Sequence, residues 1–199
     1  MPRLTGSGQL SGQGGRVQSE PTDDECVTRS RHGDRNAFGT LVRRYQDRLY
    51  RFILRMVGSR DEALELTQDA FMKAWQALPE WRPEAAFRTW LFSIASNAAT
   101  DSLRRRKAVE FVPLDEDYDV PGEAADPAGQ LQAKQRLRAL DAALSRLPDD
   151  QREIVLLREI EDMSYSEISA ALAISEGTVK SRLARAREAL VRHYRRKDV

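Results

Sequence analysis

Residues Ser164–Leu190, SYSEISAALAISEGTVKSRLARAREAL, contain two helical patterns separated by a very short break. Ser164 with Glu167 three residues later is a capping box that opens the first helix, and Ser175 offers a hydroxyl to cap the second. The second helix carries one apolar stripe, Val179, Leu183, Ala186 and Leu190, and presents basic residues on its other faces, Lys180, Arg182, Arg185 and Arg187. This pattern favours a helix-turn-helix that lays its second helix in a DNA major groove. A surface helical hairpin with solvated arginines is the alternative.

The composition indicates a charge-rich helical protein. Its 199 residues are 41% hydrophobic and 32% charged, and runs of β-branched residues are nearly absent, so one or two all-α domains are expected. The single cysteine, Cys26, cannot form an internal disulfide, which fits a reducing cytosol and a buried structural thiol. We expect neither a transmembrane segment nor a signal peptide, because no apolar stretch is long enough. The net charge of +1 conceals segments of opposite sign.

The first half of the chain predicts one helical domain. Residues 1–21, rich in Gly, Ser and Gln, are expected to form a disordered N-terminal arm, and residues 22–108 a domain of three or four helices. Thr22 with Glu25 and Ser59 with Glu62 are further capping boxes. Long amphipathic patterns cover residues 36–57, 59–78 and 87–107, and glycines at 33 and 58 supply helix stops.

An abrupt change of composition separates this domain from the helix-turn-helix. Residues 109–129 contain seven carboxylates, three prolines and no Lys or Arg, so we interpret 109–130 as a flexible acidic linker; a solubilising spacer is an equal interpretation. Residues 131–199 predict a second helical domain, in which Pro148 ends a leucine stripe and Ile154, Leu157 and Ile160 face inward from the next helix. The fold class is therefore all-α, with two small helical domains joined by a flexible acidic linker and a C-terminal helix-turn-helix.

Three blocks of this sequence resemble the extracytoplasmic-function (ECF) group of bacterial sigma factors, within the sigma-70 family. RDEALELTQDAFMKAW (60–75) is similar to the polymerase-binding helix of region 2, and FRTWLFSIASNAATDSLRRRK (87–107) to the segment that opens and reads the −10 element. LPDDQREIVLLREIEDMSYSEISAALAISEGTVKSRLARAREAL (147–190) is similar to region 4, which reads the −35 element. The blocks follow the family order and spacing. Departures are Glu65 where Asp is frequent, and Ser169 and Ala173 where Ala and Gly are frequent.

The resemblance implies a polymerase-binding face on the helix that begins near Asp61. Its partner would be the clamp helices of the largest subunit of core RNA polymerase, with the polymerase flap as a further partner. The contact residues implied are Asp61, Glu65, Leu66, Gln68, Asp69 and Phe71. For Leu66 and Phe71, packing in the core of the domain is an equally good interpretation.

Two groups of residues are expected at promoter DNA. At the −10 element, the Asn97 amide can pair with a base edge. Two tryptophans, Trp81 and Trp90, line the pocket or stack on a base. The basic cluster contacts phosphates and consists of Arg104, Arg105, Arg106 and Lys107. A half-buried Trp90 is the alternative to stacking. At the −35 element they are the residues of the recognition helix, Glu176, Thr178, Lys180, Ser181, Arg182 and Arg185.

Nothing in the sequence predicts catalysis, a cofactor or a metal site, because His32 and His193 are isolated and no phosphate loop or nucleophile motif is present. The expected protein is a non-enzymatic, cytoplasmic, bacterial initiation subunit that binds core polymerase and promoter DNA, does not insert into membranes, and is held in check by an anti-sigma factor. Two rival hypotheses are a free-standing helix-turn-helix repressor or activator, and a helical interaction protein that binds no promoter.

Overall fold

The computed structural model describes residues 20–107 and 139–195, with side chains as far as Arg192, and the regular elements in both ranges are helices. The all-α prediction is confirmed. The predicted arm up to residue 19, the acidic linker 109–130 and the tail beyond residue 195 lie outside the described residues.

The first unit consists of four helices, α1 (Asp23–Arg31), α2 (Arg35–Val57), α3 (Arg60–Ala77) and α4 (Phe87–Lys107). Helices α2, α3 and α4 pack against one another, and α1 packs on α2. Fully buried aromatic rings fill the centre, where Phe52 meets Phe92 with ring centroids 5.4 Å apart. Burial of each such side chain contributes roughly 1.5–3 kcal/mol, so this core determines how α4 is held. Cys26 is buried, as predicted.

The predicted helix caps form with one exception. Thr22 and Glu25 make both bonds of a capping box, and Gly58 ends α2 in the left-handed conformation with φ of 76°. At Ser59 only half of the predicted box forms: the hydroxyl accepts a bond from the backbone amide of Glu62 at 3.4 Å. The Glu62 carboxylate instead binds side chains of α4 and is thereby withdrawn from the cap.

The second unit begins with the helical residues 139–144, here called α5, followed by α6 (Asp149–Val155), a π-helical turn (Leu156–Ile160), α7 (Tyr165–Leu172) and α8 (Glu176–Arg195). Ile154 and Leu157 are fully buried, as predicted. Ile160 is 40% exposed, which corrects the prediction that it faces inward. The π-helical turn explains the difference, because its wider hydrogen-bond spacing rotates the last residues relative to a continuous α-helix.

Arg152 joins α6 to the carboxyl ends of two other helices. Its guanidinium donates to the carbonyl oxygens of Leu144 at 3.0 Å, Ser145 at 3.2 Å, Leu147 at 3.1 Å and Met56 at 2.6 Å. Carbonyl groups at a helix end often lack partners within the helix, and this side chain supplies donors to four carbonyl oxygens at such ends. The Leu144 carbonyl also accepts a bond from the Leu147 amide at 3.0 Å.

The two units pack directly against each other. Helix α4 lies against α7, α2 approaches α6, and the buried apolar residues of both units form one continuous cluster. The contact brings together residues that are more than seventy positions apart in sequence, such as Arg88 and Glu161.

Candidate nucleic-acid interfaces

The helix-turn-helix predicted at Ser164–Leu190 forms, and local contacts fix its turn. Ser164 and Glu167 complete the predicted capping box of α7. Ala173 ends α7 in the left-handed region at φ 52°, a conformation that favours glycine. The Ser169 hydroxyl donates to the carbonyl oxygen of Ile174 at 2.6 Å and so ties α7 to the turn that leads into α8, beside the strained residue. The two departures from the pattern of the resembled family, at 169 and 173, therefore lie in one hydrogen-bonded turn.

Helix α8 begins with the predicted serine cap and buries one stripe. The Ser175 hydroxyl accepts a bond from the Thr178 amide at 3.2 Å, which satisfies an amide of the first turn. Val179, Leu183 and Ala186 are at most 1% exposed, so they anchor the helix to its unit. The residues between them are consequently directed away from the core.

Four of the six predicted recognition residues face solvent: Glu176, Lys180, Ser181 and Arg185. The Lys180 ammonium lies 3.9 Å from the Glu176 carboxylate and 5.8 Å from the centre of the Tyr165 ring. These two neighbours hold the Lys180 side chain over the amino-terminal half of α8, where a recognition helix meets base edges.

The other two predicted recognition residues are engaged within the protein. Arg182 is half-buried and forms an ion pair with Asp150 of α6 at 3.3 Å. Thr178 is half-buried, and its hydroxyl exchanges a hydrogen bond with Ser175 at 2.9 Å. In this structure both residues support the position of α8.

The predicted −10 residues lie along α4 and the loop before it. The Asn97 side chain is exposed, so its amide is accessible. Trp81 and Trp90 stack on each other with ring centroids 4.8 Å apart and an interplanar angle of 20°, and both pack against Phe87. Trp90 is half-buried, and one face of each indole is already occupied by the other. The pair forms an aromatic wall at the amino-terminal end of α4.

The basic cluster at the carboxyl end of α4 divides into two parts. Arg104 and Arg105 are exposed, and Arg104 makes only a local ion pair with Asp101 at 3.1 Å. Arg106 donates to the Val57 carbonyl at 2.8 Å and binds the Glu62 carboxylate. Because Glu62 is paired with Arg106, its carboxylate does not complete the predicted capping box, and the ion pair joins α4 to α3. Lys107 reaches the second unit, where its ammonium lies 2.6 Å from Asp149.

The predicted polymerase-binding face on α3 contains both polar and apolar side chains. Asp61, Glu65 and Gln68 are exposed, and Asp69 is half-buried. Leu66 and Phe71 are 7% and 8% exposed and belong to the core, which favours the packing interpretation for these two residues. The exposed apolar side chains of this helix are instead Leu64 and Met72, at 54% and 58%.

Sequence reasoning missed Leu64 and Met72, although the spacing contained the signal. Positions 64, 68 and 72 recur every four residues and lie opposite the buried stripe that contains Ala63, Ala70 and Ala74. Apolar residues on the polar face of an amphipathic helix lack partners in the domain, and they are typical of a binding surface.

A buried carboxyl group lies where α6 meets α4. Glu153 is 8% exposed, and the Thr100 hydroxyl of α4 donates to it at 3.5 Å. Burial raises the pKa of Glu153 to about 7, although the Arg182 guanidinium nearby acts in the opposite direction.

The residues that the structure describes lack two kinds of feature. No group of three or more His, Cys, Asp or Glu side chains there is placed to hold a metal ion. None of the described helices is both long and apolar enough to cross a membrane.

Comparison with known proteins places both units in one family. Residues 41–109 match the model of Sigma-70 region 2, and residues 137–190 match that of Sigma-70, region 4. The ECF RNA polymerase sigma factor SigE of Mycolicibacterium smegmatis is 39% identical over 86% of this chain and 68% of that protein. The ECF RNA polymerase sigma-E factor of Escherichia coli K12 is 36% identical over 87% of this chain and 95% of that protein.

Solved structures agree with these sequence matches. CnrH, solved in complex with the cytosolic domain of CnrY, has a TM-score of 0.65 at 28% identity, covering 85% of this chain and 94% of that one. The sigma factor RpoE of Bartonella quintana, solved with the anti-sigma factor NepR, has a TM-score of 0.65 at 26% identity, covering 79% of this chain and 96% of that one.

Proposed function

This chain belongs to the extracytoplasmic-function group of the sigma-70 family and acts in promoter-specific transcription initiation with RNA polymerase, and on that premise we propose that three surfaces divide the work. The first unit binds core polymerase through α3 and the −10 element through α4. The second unit reads the −35 element through α8. The ordered pair of matches, region 2 followed by region 4, is the observation that carries this assignment.

We assign reading of the −35 element to the amino-terminal half of α8. Glu176, Lys180 and Ser181 are exposed there, and Tyr165 holds Lys180 close to the helix surface. Side chains at this end of a recognition helix meet base edges, whereas Arg185, one turn further on, is suited to a phosphate. Arg182 and Thr178 contribute indirectly, by supporting the helix.

We assign opening and capture of the −10 element to α4. Exposed Asn97 supplies an amide for a base edge, and exposed Arg104 and Arg105 supply cations for the backbone. Unstacking a base costs a few kcal/mol, and the Trp81–Trp90 wall provides an apolar surface against which a displaced base can rest.

We assign core-polymerase binding to the exposed face of α3. Carboxylates Asp61 and Glu65 suit a basic partner surface, and Leu64 and Met72 add apolar area at the centre of the same stripe. Charged residues that surround apolar anchors are the usual composition of a protein interface. The clamp helices of the largest subunit are the proposed partner, and the flap is proposed for the second unit.

Regulation and location belong to the same proposal. Sigma factors are initiation factors without catalytic chemistry, so the catalysis of RNA synthesis is assigned to the polymerase and none to this chain. We assign the protein to the bacterial cytoplasm. The relative from Bartonella quintana was solved with an anti-sigma factor, and an inhibitor of that class is the proposed partner here.

The test is transcription from a pool of host promoter fragments by purified core polymerase, with transcript 5′ ends sequenced. Adding the full chain should produce a new set of 5′ ends that share upstream elements near −10 and −35. Polymerase binding without any chain-dependent 5′ ends would refute the assignment, and so would specific duplex binding by a chain that does not bind core polymerase. The second result would identify a free-standing helix-turn-helix regulator.

A further inference from the structure

The ion pairs between the described residues of the two units all have the same orientation, with the cation on the first unit and the carboxylate on the second. Each pair between the described residues of the two units places its cation on α2 or α4 of the first unit. Its carboxylate lies on α5, on α6, or on the segment that leads into and through α7. The pairs, among the described residues, are Arg48–Glu161 at 2.8 Å, Arg55–Asp141 at 2.9 Å, Arg88–Glu167 at 3.0 Å and Lys107–Asp149 at 2.6 Å. The first unit thus supplies the basic side of these pairs and the second unit the acidic side; Arg152 of the second unit also crosses the face, as a donor to the Met56 carbonyl.

The carboxylates are partly or wholly withdrawn from water at this face. The Glu161 side chain is only 3% exposed, and the Arg88 guanidinium also donates to the Glu161 carbonyl at 3.3 Å. Thr89 donates to Glu167 at 3.3 Å. Shielded, hydrogen-bonded pairs such as these are screened by salt less than surface pairs and fix one relative orientation of the two units.

The basic side of the face lies on α4, which the proposed function assigns to DNA, and on α2. Helix α4 carries Arg88 and Lys107 at its two ends, with Asn97 between them. Along α2, Arg44, Arg48, Arg51 and Arg55 recur at helical spacing and form a basic stripe, in which Arg44 is paired with Asp23 of α1. Guanidinium groups bind carboxylate and phosphate oxygens in the same way. The acidic face therefore offers these cations the ligands that a DNA backbone would offer.

The packed arrangement does not allow both units to read one promoter. The −10 and −35 elements lie about 25 base pairs apart, which is roughly 85 Å along the duplex. A compact chain of this length has a radius of gyration of only about 16 Å, and α4 and α7 touch. The units must separate before α4 and α8 engage their elements, and separation breaks the four ion pairs.

We propose that the face between the units is a latch in which the carboxylates of the second unit occupy a phosphate-binding surface on α2 and α4, and that the DNA backbone replaces them when the units separate. The partner of this surface is thus the sugar-phosphate backbone of promoter DNA. Arg48, Arg55 and Arg88 join the exposed Arg104 and Arg105 as phosphate ligands once the latch is open. This inference rests on the proposed function, and it adds the α2 stripe to the DNA-binding surface.

The latch is tested on the free, full-length chain with two measurements, small-angle X-ray scattering and binding of a fluorescent 25-nucleotide oligothymidylate. The opening variant is Glu161→Gln with Glu167→Gln, which removes two charges and keeps the α7 cap, because glutamine also serves in a capping box. The matched control is Glu159→Gln, which removes an ion pair within the second unit, to Arg187 at 2.6 Å.

The opening variant should show a larger radius of gyration than the wild type and should bind the oligonucleotide about tenfold more tightly, because the binding-competent fraction rises. The control should match the wild type in both measurements. Arg48→Gln with Arg88→Gln should expand the chain without tighter binding, since it removes phosphate ligands together with the latch. Asp141→Asn, which releases Arg55, gives a second opening variant at a distant pair, and circular dichroism verifies that each variant is folded.

An opening variant that stays as compact as the wild type would overturn the latch, and expansion without tighter binding would overturn the phosphate surface. Neither measurement involves polymerase, so a result that overturns the latch does not bear on the proposed function, which the transcription assay tests separately. Conversely, the latch can hold in a chain that fails to direct initiation.

Discussion

Glu153→Gln should make the protein more stable at alkaline pH and leave its stability at acidic pH almost unchanged. The carboxyl group lies between α6 and α4, near the hydroxyls of Ser96 and Thr100 and the charged groups of Arg182 and Asp150. Glutamine has nearly the same shape and retains an acceptor for Thr100. The substitution therefore removes the ionisation of the group and keeps its packing.

The magnitude follows from the pKa. Burial raises the pKa of Glu153 from 4.5 to about 7 in the folded protein, so folding favours the protonated form. Below pH 4.5 both folded and unfolded chains are protonated, and burial carries no ionisation penalty. As the pH rises through this interval the unfolded chain ionises first, and stability falls until about pH 7. A pKa difference of one corresponds to 1.36 kcal/mol, so the full penalty is about 3 kcal/mol.

The assay is urea unfolding followed by circular dichroism at pH 5 and pH 8. The advantage of Glu153→Gln over the wild type should grow by roughly 2–3 kcal/mol between these two pH values. Glu188→Gln, at an exposed position on α8, is the control and should follow the wild type. An advantage that is equal at pH 5 and pH 8 would show that Glu153 is not held protonated, and the argument from burial would fail.

Three further predictions concern binding and stability. Met72→Asp should weaken core-polymerase binding at least tenfold at unchanged melting temperature, because it places a charge among the apolar contacts of α3; unchanged affinity in a pull-down titration would exclude this face. Lys180→Ala should relax preference at one −35 position in a binding-site selection if Lys180 reads a base, whereas an even loss of affinity across sequences would assign it to phosphate. Arg152→Met should lower the free energy of unfolding by roughly 2–4 kcal/mol, because it removes four hydrogen bonds from a charged donor to carbonyl groups, and a loss below 1 kcal/mol in urea titrations would contradict that role.

Local sequence patterns predicted the helices well because their signals act over a few residues. The predicted capping boxes at Thr22 and Ser164 both form, and α4 spans the predicted residues 87–107. The box at Ser59 was only half right, because Arg106 competes for the Glu62 carboxylate from 44 positions away. A competing long-range partner of this kind leaves no trace in a local pattern.

The candidate site was less predictable than the helices. The resemblance gives residue types, but exposure depends on how each helix is rotated against its neighbours. That rotation buries Leu66 and Phe71 and exposes Leu64 and Met72. The pairing of Arg48 with Glu161 was beyond sequence reasoning, because it requires knowing that the two units touch.

If α3 binds polymerase as proposed, its outward orientation would impose an order on promoter recognition. Its polar and apolar stripe faces solvent in the packed chain, whereas Lys107 at the end of α4 is held by the second unit. A free molecule of this kind can be captured by polymerase before it engages any promoter. It would then spend little time on the chromosome alone, where an unaccompanied subunit would occupy start sites without transcribing them. The number of active promoters would follow the number of assembled enzymes and would not follow the amount of free subunit.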